Sequence, residues 1–470
     1  MSRPLAAVLL AVVVVLSAAC GEVPTNHLAD APPGGSDDAH PTDGAAAGLV
    51  TITALAQTFP TMPLVGAQVV FTDSKGSQRA VTDATGTASA RVEDGATVTV
   101  VSSFGNSTQP FLETVYGVKN GDKIKLGVDR DFSDAGSFTV KFAPTPGVSD
   151  YQVYGPCGES SVSNPTGGPL SVDLAFQADC KQDPMELVVV GTDPQTGLPS
   201  VSQDKTGVPF VAGGSATLTG GFKAIITLDA NFTNGRDDAA VNLSRFAPDT
   251  RGFGSSANAP IGDGTAKLSV AGPATSTAFV IAGIDRTGFG SQSLFQRIAG
   301  DATTYSLDIA GSVLPWLGAI AFDPATRTIK VPVTTEGSKG DAPDLFACEV
   351  GYARASPTPG GAQTQLTWLI VTATPGDVVL PTLPADLAGL APLAGDATGQ
   401  ADCISVESDQ LASYDSARQD PFTVFGLQND PRNTGLVREA SSTSNRPSIR
   451  AGSPGRWSPL RGPRAAARAR

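Results

Sequence analysis

Residues 48–103 read GLVTITALAQTFPTMPLVGAQVVFTDSKGSQRAVTDATGTASARVEDGATVTVVSS. Apolar and polar residues alternate along this stretch, and turns such as Asp73-Ser-Lys-Gly76 and Asp83-Ala-Thr-Gly86 interrupt it. A period of two sends successive side chains to opposite faces of a strand, and Asp and Gly close the hairpins between strands. The stretch predicts a small antiparallel β-sandwich over residues 48–128. Asp73 and Asp83 are oxygen donors of the type calcium takes. As isolated turn aspartates they are read instead as acceptors for their own backbone.

Working outward, the composition agrees with an all-β chain. Gly 52 and Pro 36 make up nearly a fifth of 470 residues, and both interrupt helices. With 40% hydrophobic and 16% charged residues, the chain is neither a coiled coil nor a charge-driven disordered polymer. Its length allows three domains at roughly 150 residues each, or four small β modules. The two histidines, His27 and His40, lie near the N-terminus. The later chain therefore has no imidazole for Ser-His-Asp or Cys-His catalysis, or for His-ligated zinc.

A weak repeat runs through residues 134–425. Glu186-Leu-Val-Val-Val-Gly-Thr-Asp193 and Ala278-Phe-Val-Ile-Ala-Gly-Ile-Asp285 each read as a buried strand, an Asp turn, Gly, an apolar residue and Ser. Thr367-Trp-Leu-Ile-Val-Thr-Ala-Thr-Pro-Gly-Asp377 is the third candidate copy. Earlier in each unit come Asp150–Tyr154, Asp238–Leu243 and Asp344–Val350, each preceded by a strand-like run at 137–142, 222–228 or 327–333. The expected architecture is a string of four sandwiches: 48–128, 134–220, 221–325 and 326–425. Cys157, Cys180, Cys348 and Cys403 are even in number, as disulfides in an exported chain require, and four cysteines allow three pairings. The local option, Cys157–Cys180 and Cys348–Cys403, keeps each bridge inside one unit. A redox role is the competing reading, but the chain lacks Cys-x-x-Cys.

Residues 1–20 read MSRPLAAVLLAVVVVLSAAC, with one Arg, an apolar run from Leu5 to Leu16, and small residues ending at Cys20. The run is too short for the roughly 20 residues of a membrane-spanning helix and has the layout of a secretory signal. The segment resembles a bacterial lipoprotein signal. That resemblance implies cleavage after residue 19, lipidation of Cys20 as the mature N-terminus and, with Gly21 following, an outer-membrane address facing the periplasm or the cell surface. Ser17 stands where the family usually has Leu, and ordinary secretion is the alternative. Residues 20–47, rich in Pro, Gly and Asp, read as a flexible tether; His27, Asp30, Asp37, Asp38, His40 and Asp43 there form no preorganised metal site. The first module is similar to the transthyretin-like carboxypeptidase regulatory domain through Pro63–Ala67, Val69–Phe71, Val81-Thr-Asp83, Gly86 and Ala96–Val100. It is similar also to Ig-like modules of bacterial adhesins. Both resemblances imply a sandwich fold and a supporting or binding role far more than an activity.

Other motifs point to turns. Gly252-Phe-Gly-Ser255 and Gly288-Phe-Gly-Ser291 lack the third Gly or the Lys-Ser/Thr of phosphate loops. Asp263-Gly-Thr265 inverts the aspartic-protease order. The segments Val313–Leu317 and Leu380–Leu390 read either as exposed partner-binding patches or, preferably, as plugs at sandwich ends. Net charge is −13, but residues 429–470 carry +7 and residues 1–428 carry −20. An acidic body repels nucleic acid, and none is expected as a partner. The Arg-rich stretch 429–470 is expected to be a disordered tail, either a nonfunctional extension whose abrupt composition suits an altered reading frame, or a nucleic-acid or lipopolysaccharide contact.

The sequence thus predicts an all-β, tandem-sandwich, lipid-anchored envelope protein without cofactor or resident metal, serving adhesion, scaffolding or binding of an unknown protein or glycan. The competing classes are a glycan hydrolase, which needs only two carboxylates, and a purely structural spacer.

Overall fold

The computed structural model describes residues 49–444 apart from 57–61, 104–108, 128–132, 157, 164–167, 179–182, 247–253, 276, 341, 357, 359–360, 426 and 428–434. The predicted signal, the tether, Cys20, His27, His40, Cys157, Cys180 and the end of the tail therefore lie outside the described residues. Nearly all the described secondary structure is β. No described helix is long and apolar enough to cross a membrane.

The first sandwich contains β1 (Leu49–Ala54), β2 (Gln68–Asp73), β3 (Gly76–Val81), β4 (Thr87–Arg91), β5 (Ala96–Ser103), β6 (Pro110–Val118) and β7 (Lys123–Leu126). One layer runs β4-β1-β7, with β1 and β7 parallel, and the other runs β3-β2-β5-β6. The plan is then repeated. Strands β8 (Asp134–Phe142), β9 (Asp150–Gly155), β10 (Gly158–Ser163), β11 (Leu170–Gln177), β12 (Met185–Thr192), β13 (Pro199–Val208) and β14 (Gly214–Leu218) form β11-β8-β14 and β10-β9-β12-β13, the latter extended by β15 (Lys223–Ala224). A third set follows in β16 (Ile226–Thr233), β17 (Ala239–Phe246), β18 (Gly254–Pro260), β19 (Ala266–Gly272), β20 (Thr277–Arg286), β21 (Ser291–Ala299) and β22 (Thr304–Asp308). It gives β19-β16-β22 and β18-β17-β20-β21, again with the first and last strands parallel.

The fourth region departs from the plan. After α1 (Ile309–Ser312) come β23 (Trp316–Leu317), β24 (Ala321–Asp323), β25 (Thr328–Lys330), β26 (Val333–Thr334), β27 (Leu345–Arg354), β28 (Thr364–Thr372), β29 (Val378–Val379) and β30 (Ala397–Ser408). The chain ends its described course in α2 (Tyr414–Ala417), α3 (Pro421–Val424) and β31 (Val437–Thr443). The larger layer keeps the repeated order as β28-β27-β30-β31, but the smaller one is β24-β25-β29. Here β24, which precedes β25, pairs antiparallel with it, in the place that a closing parallel strand holds in the other three.

Side-chain patterns follow from what covers each face. Strand β16 alternates half-exposed or exposed positions with buried Leu228, Ala230 and Phe232, because one face meets the core and the other meets solvent. Strand β27 and the Trp368–Val371 half of β28 are buried on both faces and read as nearly continuous apolar runs. The hairpin from Asp83 shows the turn chemistry: its Oδ1 accepts from the backbone amides of Thr85 at 2.8 Å and Thr87 at 2.9 Å. Gly86 has φ +74°, and a Cβ there would sit 2.5 Å from the Ala54 carbonyl oxygen.

Three expectations require correction. First, the sandwiches are not a string of separate beads. Among the described residues a twelve-stranded sheet runs β18-β17-β20-β21-β31-β30-β27-β28-β6-β5-β2-β3, so that the first, third and fourth share one layer. The first and fourth also share cores: Val50, Val98 and Val115 cluster with Leu345, Leu369, Phe422 and Val437, while Val70 and Leu112 cluster with Phe322, Trp368 and Leu380. Alternation reveals which face of a strand is buried, but backbone pairing at a sheet edge is almost blind to side chains. Second, residues 437–443 of the supposed disordered tail are a central strand, bonded to β21 and to β30. Third, Thr367–Val371 lies in β28, at the third strand position, whereas the counterpart of β12 and β20 is β30. The insertion between β28 and β30 and the polar interruptions of Asp402 and Ser405 hid that strand from the repeat pattern.

Cys348 and Cys403 face each other in register across β27 and β30 and form a disulfide. The bridge closes a 55-residue separation, for which the chain-entropy relation gives about 4 kcal/mol of stabilisation. The double variant Cys348→Ala/Cys403→Ala is expected to lose about that much in urea unfolding. Both sulfurs are buried, so mild reductant should leave the native bridge intact until the protein unfolds.

Candidate binding surface

The chemistry-bearing residues are best located by following the buried charges. Arg418, just after α2, is 1% exposed. Its Nε donates to Asp122 Oδ2 at 2.8 Å and its Nη2 to Asp122 Oδ1 at 2.9 Å, a bidentate pair between the α2 segment and the β6–β7 turn. Asp415, which also meets Arg418 and Lys119, is held below the usual carboxylate range by hydrogen bonds from Lys119 and Arg418. Tyr414 closes the cluster, donating from its hydroxyl to the Tyr116 carbonyl at 2.7 Å.

Two more clusters follow the same logic. Arg286 donates to Asp238 at 3.2 Å and to the Glu336 carbonyl at 3.2 Å, and its guanidinium lies 4.3 Å from the Phe289 ring centroid. Glu407 on β30 meets both Lys339 at 2.5 Å and Arg438 of β31 at 3.3 Å. Nearby Asp344 accepts from the Ser408 amide at 2.8 Å. Burial, with Glu407 adding to it, pushes the Asp344 carboxyl above its ordinary value.

A concave surface occurs on the fourth region, between the β24–β25 turn and the loop over residues 380–396. The turn is built by Asp323, whose carboxylate accepts from the Thr326 hydroxyl at 2.8 Å and the Ala325 amide at 3.0 Å. Both bonds hold it below the usual carboxylate range. The loop is fastened by Arg354: Nε donates to Asp396 Oδ1 at 3.0 Å, and Nη2 to Asp396 Oδ2 and the Ala391 carbonyl at 2.7 Å each. Burial disfavours the Asp396 charge, but the Arg354 bonds outweigh it and lower that carboxyl.

Between turn and loop lies a cleft of about 290 Å³ whose walls include Pro324, Ala325, Leu383, Ala391 and Leu393, with Arg327 as its charged member. Arg327 has φ +56°, and its Nη2 reaches Thr382 Oγ1 at 3.5 Å. Neither a carboxylate nor an aromatic ring is among the residues lining the cleft. Such a surface can hold an apolar group beside an anionic one, but its lining supplies no general acid or base and no stacking platform.

The other sequence-flagged residues serve architecture. Asp73 accepts from the amides of Lys75 and Glu93, and no group of three or more metal-ligating side chains occurs among the described residues. Gly288 to Gly290 lie in the β20–β21 turn and Ser291 opens β21, while Asp263 and Gly264, both at positive φ, make the β18–β19 turn. Val313, Leu314, Trp316 and Leu317 of the first Pro- and Leu-rich segment are buried, while the second buries Leu380, Leu383 and Leu387 and exposes Thr382, Ala385, Asp386, Ala388 and Gly389. Sequence reasoning missed Arg418–Asp122, Arg354–Asp396 and the cleft, since a buried charged residue looks in sequence like any surface one.

No protein-family model matches the chain, and no curated protein matches it. Among solved structures, it is similar to the Bacillus anthracis TIE protein, at 10% identity and TM-score 0.15, covering 56% of this chain and 50% of that one. The chain thus spans about half the length of that match. It is also similar to a Ca²⁺-stabilized ice-binding adhesin of an Antarctic bacterium, at 13% identity and TM-score 0.13, covering 86% of this chain and 99% of that one. A tetra-tandem repeat from the extending region of a large adhesion protein gives 12% identity, TM-score 0.13, and coverage of 85% and 100%. Likenesses at these scores carry no weight for function.

Proposed function

We propose that this is a noncatalytic cell-envelope protein, anchored to the outer membrane through a lipidated Cys20, whose β-sandwich body serves adhesion or scaffolding and engages a protein or glycan partner. In this reading residues 1–19 are a signal peptide, residues 20–47 are a tether, and the sandwiches are of the Ig-like or transthyretin-like kind. The observation that carries it is the use made of charge. Asp122, Asp238, Asp396 and Glu407 each face a cation that ties one segment to another, and the cleft beside Arg327 has no carboxylate in its lining. A glycan hydrolase requires two carboxylates across its cleft. These four acids hold segments of the fold together.

The test is metabolic labelling with a palmitate analogue, followed by membrane fractionation of the wild type and a Cys20→Ala variant. Loss of both label and membrane association in the variant is the expected result. An unlabelled wild type, or a variant that stays in the membrane fraction, would overturn the anchor. Adsorption of the anchored protein's folded body to glycan-coated or protein-coated surfaces, without change in the glycan, then separates adhesion from hydrolysis.

A further inference from the structure

Strand β31 is the last element of the described chain, yet it lies inside the twelve-stranded sheet and is antiparallel to both neighbours. Against β21 the register runs from Ser291↔Ser441 to Phe295↔Val437. Against β30 it runs from Asp402↔Thr443 to Ser408↔Val437. The slot between β21 and β30 is shaped to this strand at the backbone: a Cβ on Gly290 would lie 1.8 Å from the Ser441 carbonyl oxygen.

Side chains read it as well. Arg438 Nη1 reaches Asp409 at 2.9 Å and Glu407 at 3.3 Å. Ser441 and Ser291 hydroxyls are 3.2 Å apart, Ser442 donates to the Gly318 carbonyl at 2.8 Å, and Ser444 Oγ accepts from the Ala401 amide at 3.0 Å. Val437 and Ala440 are each 1% exposed. The slot thus recognises an extended segment with an apolar residue, Arg, a small residue and then Ser at matching positions, which is this chain's own sequence.

We infer that β31 is an exchangeable strand, and that a second copy of this chain fills the β21–β30 slot with its own Val437–Thr443 to give a strand-swapped assembly. Three features support the occupant. The strand is the last of the described elements, and among the described residues only Ser444 follows it. Its recognition resides in its own sequence, and any contact made within one chain is available to the identical segment of another. Its removal leaves two unpaired edges, β21 and β30, and unpaired edges are templates for strand addition. Exchange keeps every contact and is therefore governed by protein concentration.

The experiment uses two single variants of the full chain, Ser291→Cys and Ser441→Cys, and the double variant carrying both. The double variant should form a 291–441 disulfide within one chain under mild oxidation, which verifies that the register can be captured. The two single variants are then mixed at high concentration, with and without a cycle of partial unfolding and refolding, and oxidised. A covalent dimer joined by a 291–441 bridge, mapped by peptide mass and absent from either single variant alone, is the expected result, and its yield should rise with concentration. If the double variant cross-links within one chain while the mixture gives no 291–441 dimer at any concentration, the strand is a fixed part of each copy and the inference fails.

Discussion

A chain ending at Gln428 is expected to be insoluble or to unfold without a cooperative transition, whereas one ending at Ser444 should melt within about 1–2 °C of the full-length protein. The shorter truncation removes β31, and with it the backbone ladders to both β21 and β30. It also removes buried Val437 and Ala440 and the cation facing Glu407 and Asp409. Phe295 and Leu294 on one side, and Ile404 and Val406 on the other, lose the strand that joins their sheets. Summed over two ladders, two buried apolar side chains and a half-buried ion pair, the cost should exceed about 5 kcal/mol, the lower end of total stability for a folded domain. Thermal unfolding and size-exclusion chromatography of the three chains decide it. Equal behaviour of both truncations would mean that the sandwiches stand without the shared layer.

The second large effect is expected at Arg418. Replacing it by Ala leaves Asp122, 7% exposed, without its bidentate partner, and breaking a buried pair from one side costs about 3–5 kcal/mol. Asp122→Ala should cost less, because Asp415 still meets the guanidinium. The double replacement Asp122→Leu/Arg418→Met removes both charges and should recover most of the loss. Because the pair is buried, the single-variant effects should change little with added salt. Denaturant unfolding of the four proteins gives the coupling directly. Additive losses in the double variant would show that the two residues act independently and that the α2 segment is held by its apolar contacts with Phe422 and Phe425 instead.

Both effects bear on how far the primary structure could be read. The alternation in residues 48–103 and the Asp and Gly turns are local features, and they lead to strands and hairpins because side-chain period and turn chemistry act within a few residues. The Asp-led runs at Asp150, Asp238 and Asp344 occupy the second strand of their sandwiches, β9, β17 and β27, for the same reason. The placing of Cys348 opposite Cys403 was legible once both fell in one β unit. The kinship of the first sandwich with the next two was not legible, since its edge strand β3 is exposed along nearly its whole length and so lacks the alternation on which a repeat search depends.

Val437–Thr443 was hidden for a different reason. VREASST has one strongly apolar residue and sits in an Arg-rich stretch, so composition reads it as solvated chain. It is ordered by two waiting strand edges and by the acids Glu407 and Asp409, all distant in sequence. Arg418, Arg354 and Arg327 illustrate the same limit. One neutralises a buried aspartate, one fastens a loop, and one lines an apolar cleft, although nothing local distinguishes the three. The sequence by itself determined the all-β class, the hairpin turns, and the absence of imidazole chemistry after His40, because these follow from residue type and short-range spacing. Only the tertiary structure decided which edges zip into one sheet, which charges are buried together, and where a cleft opens, because those depend on backbone groups and distant partners that no local pattern encodes.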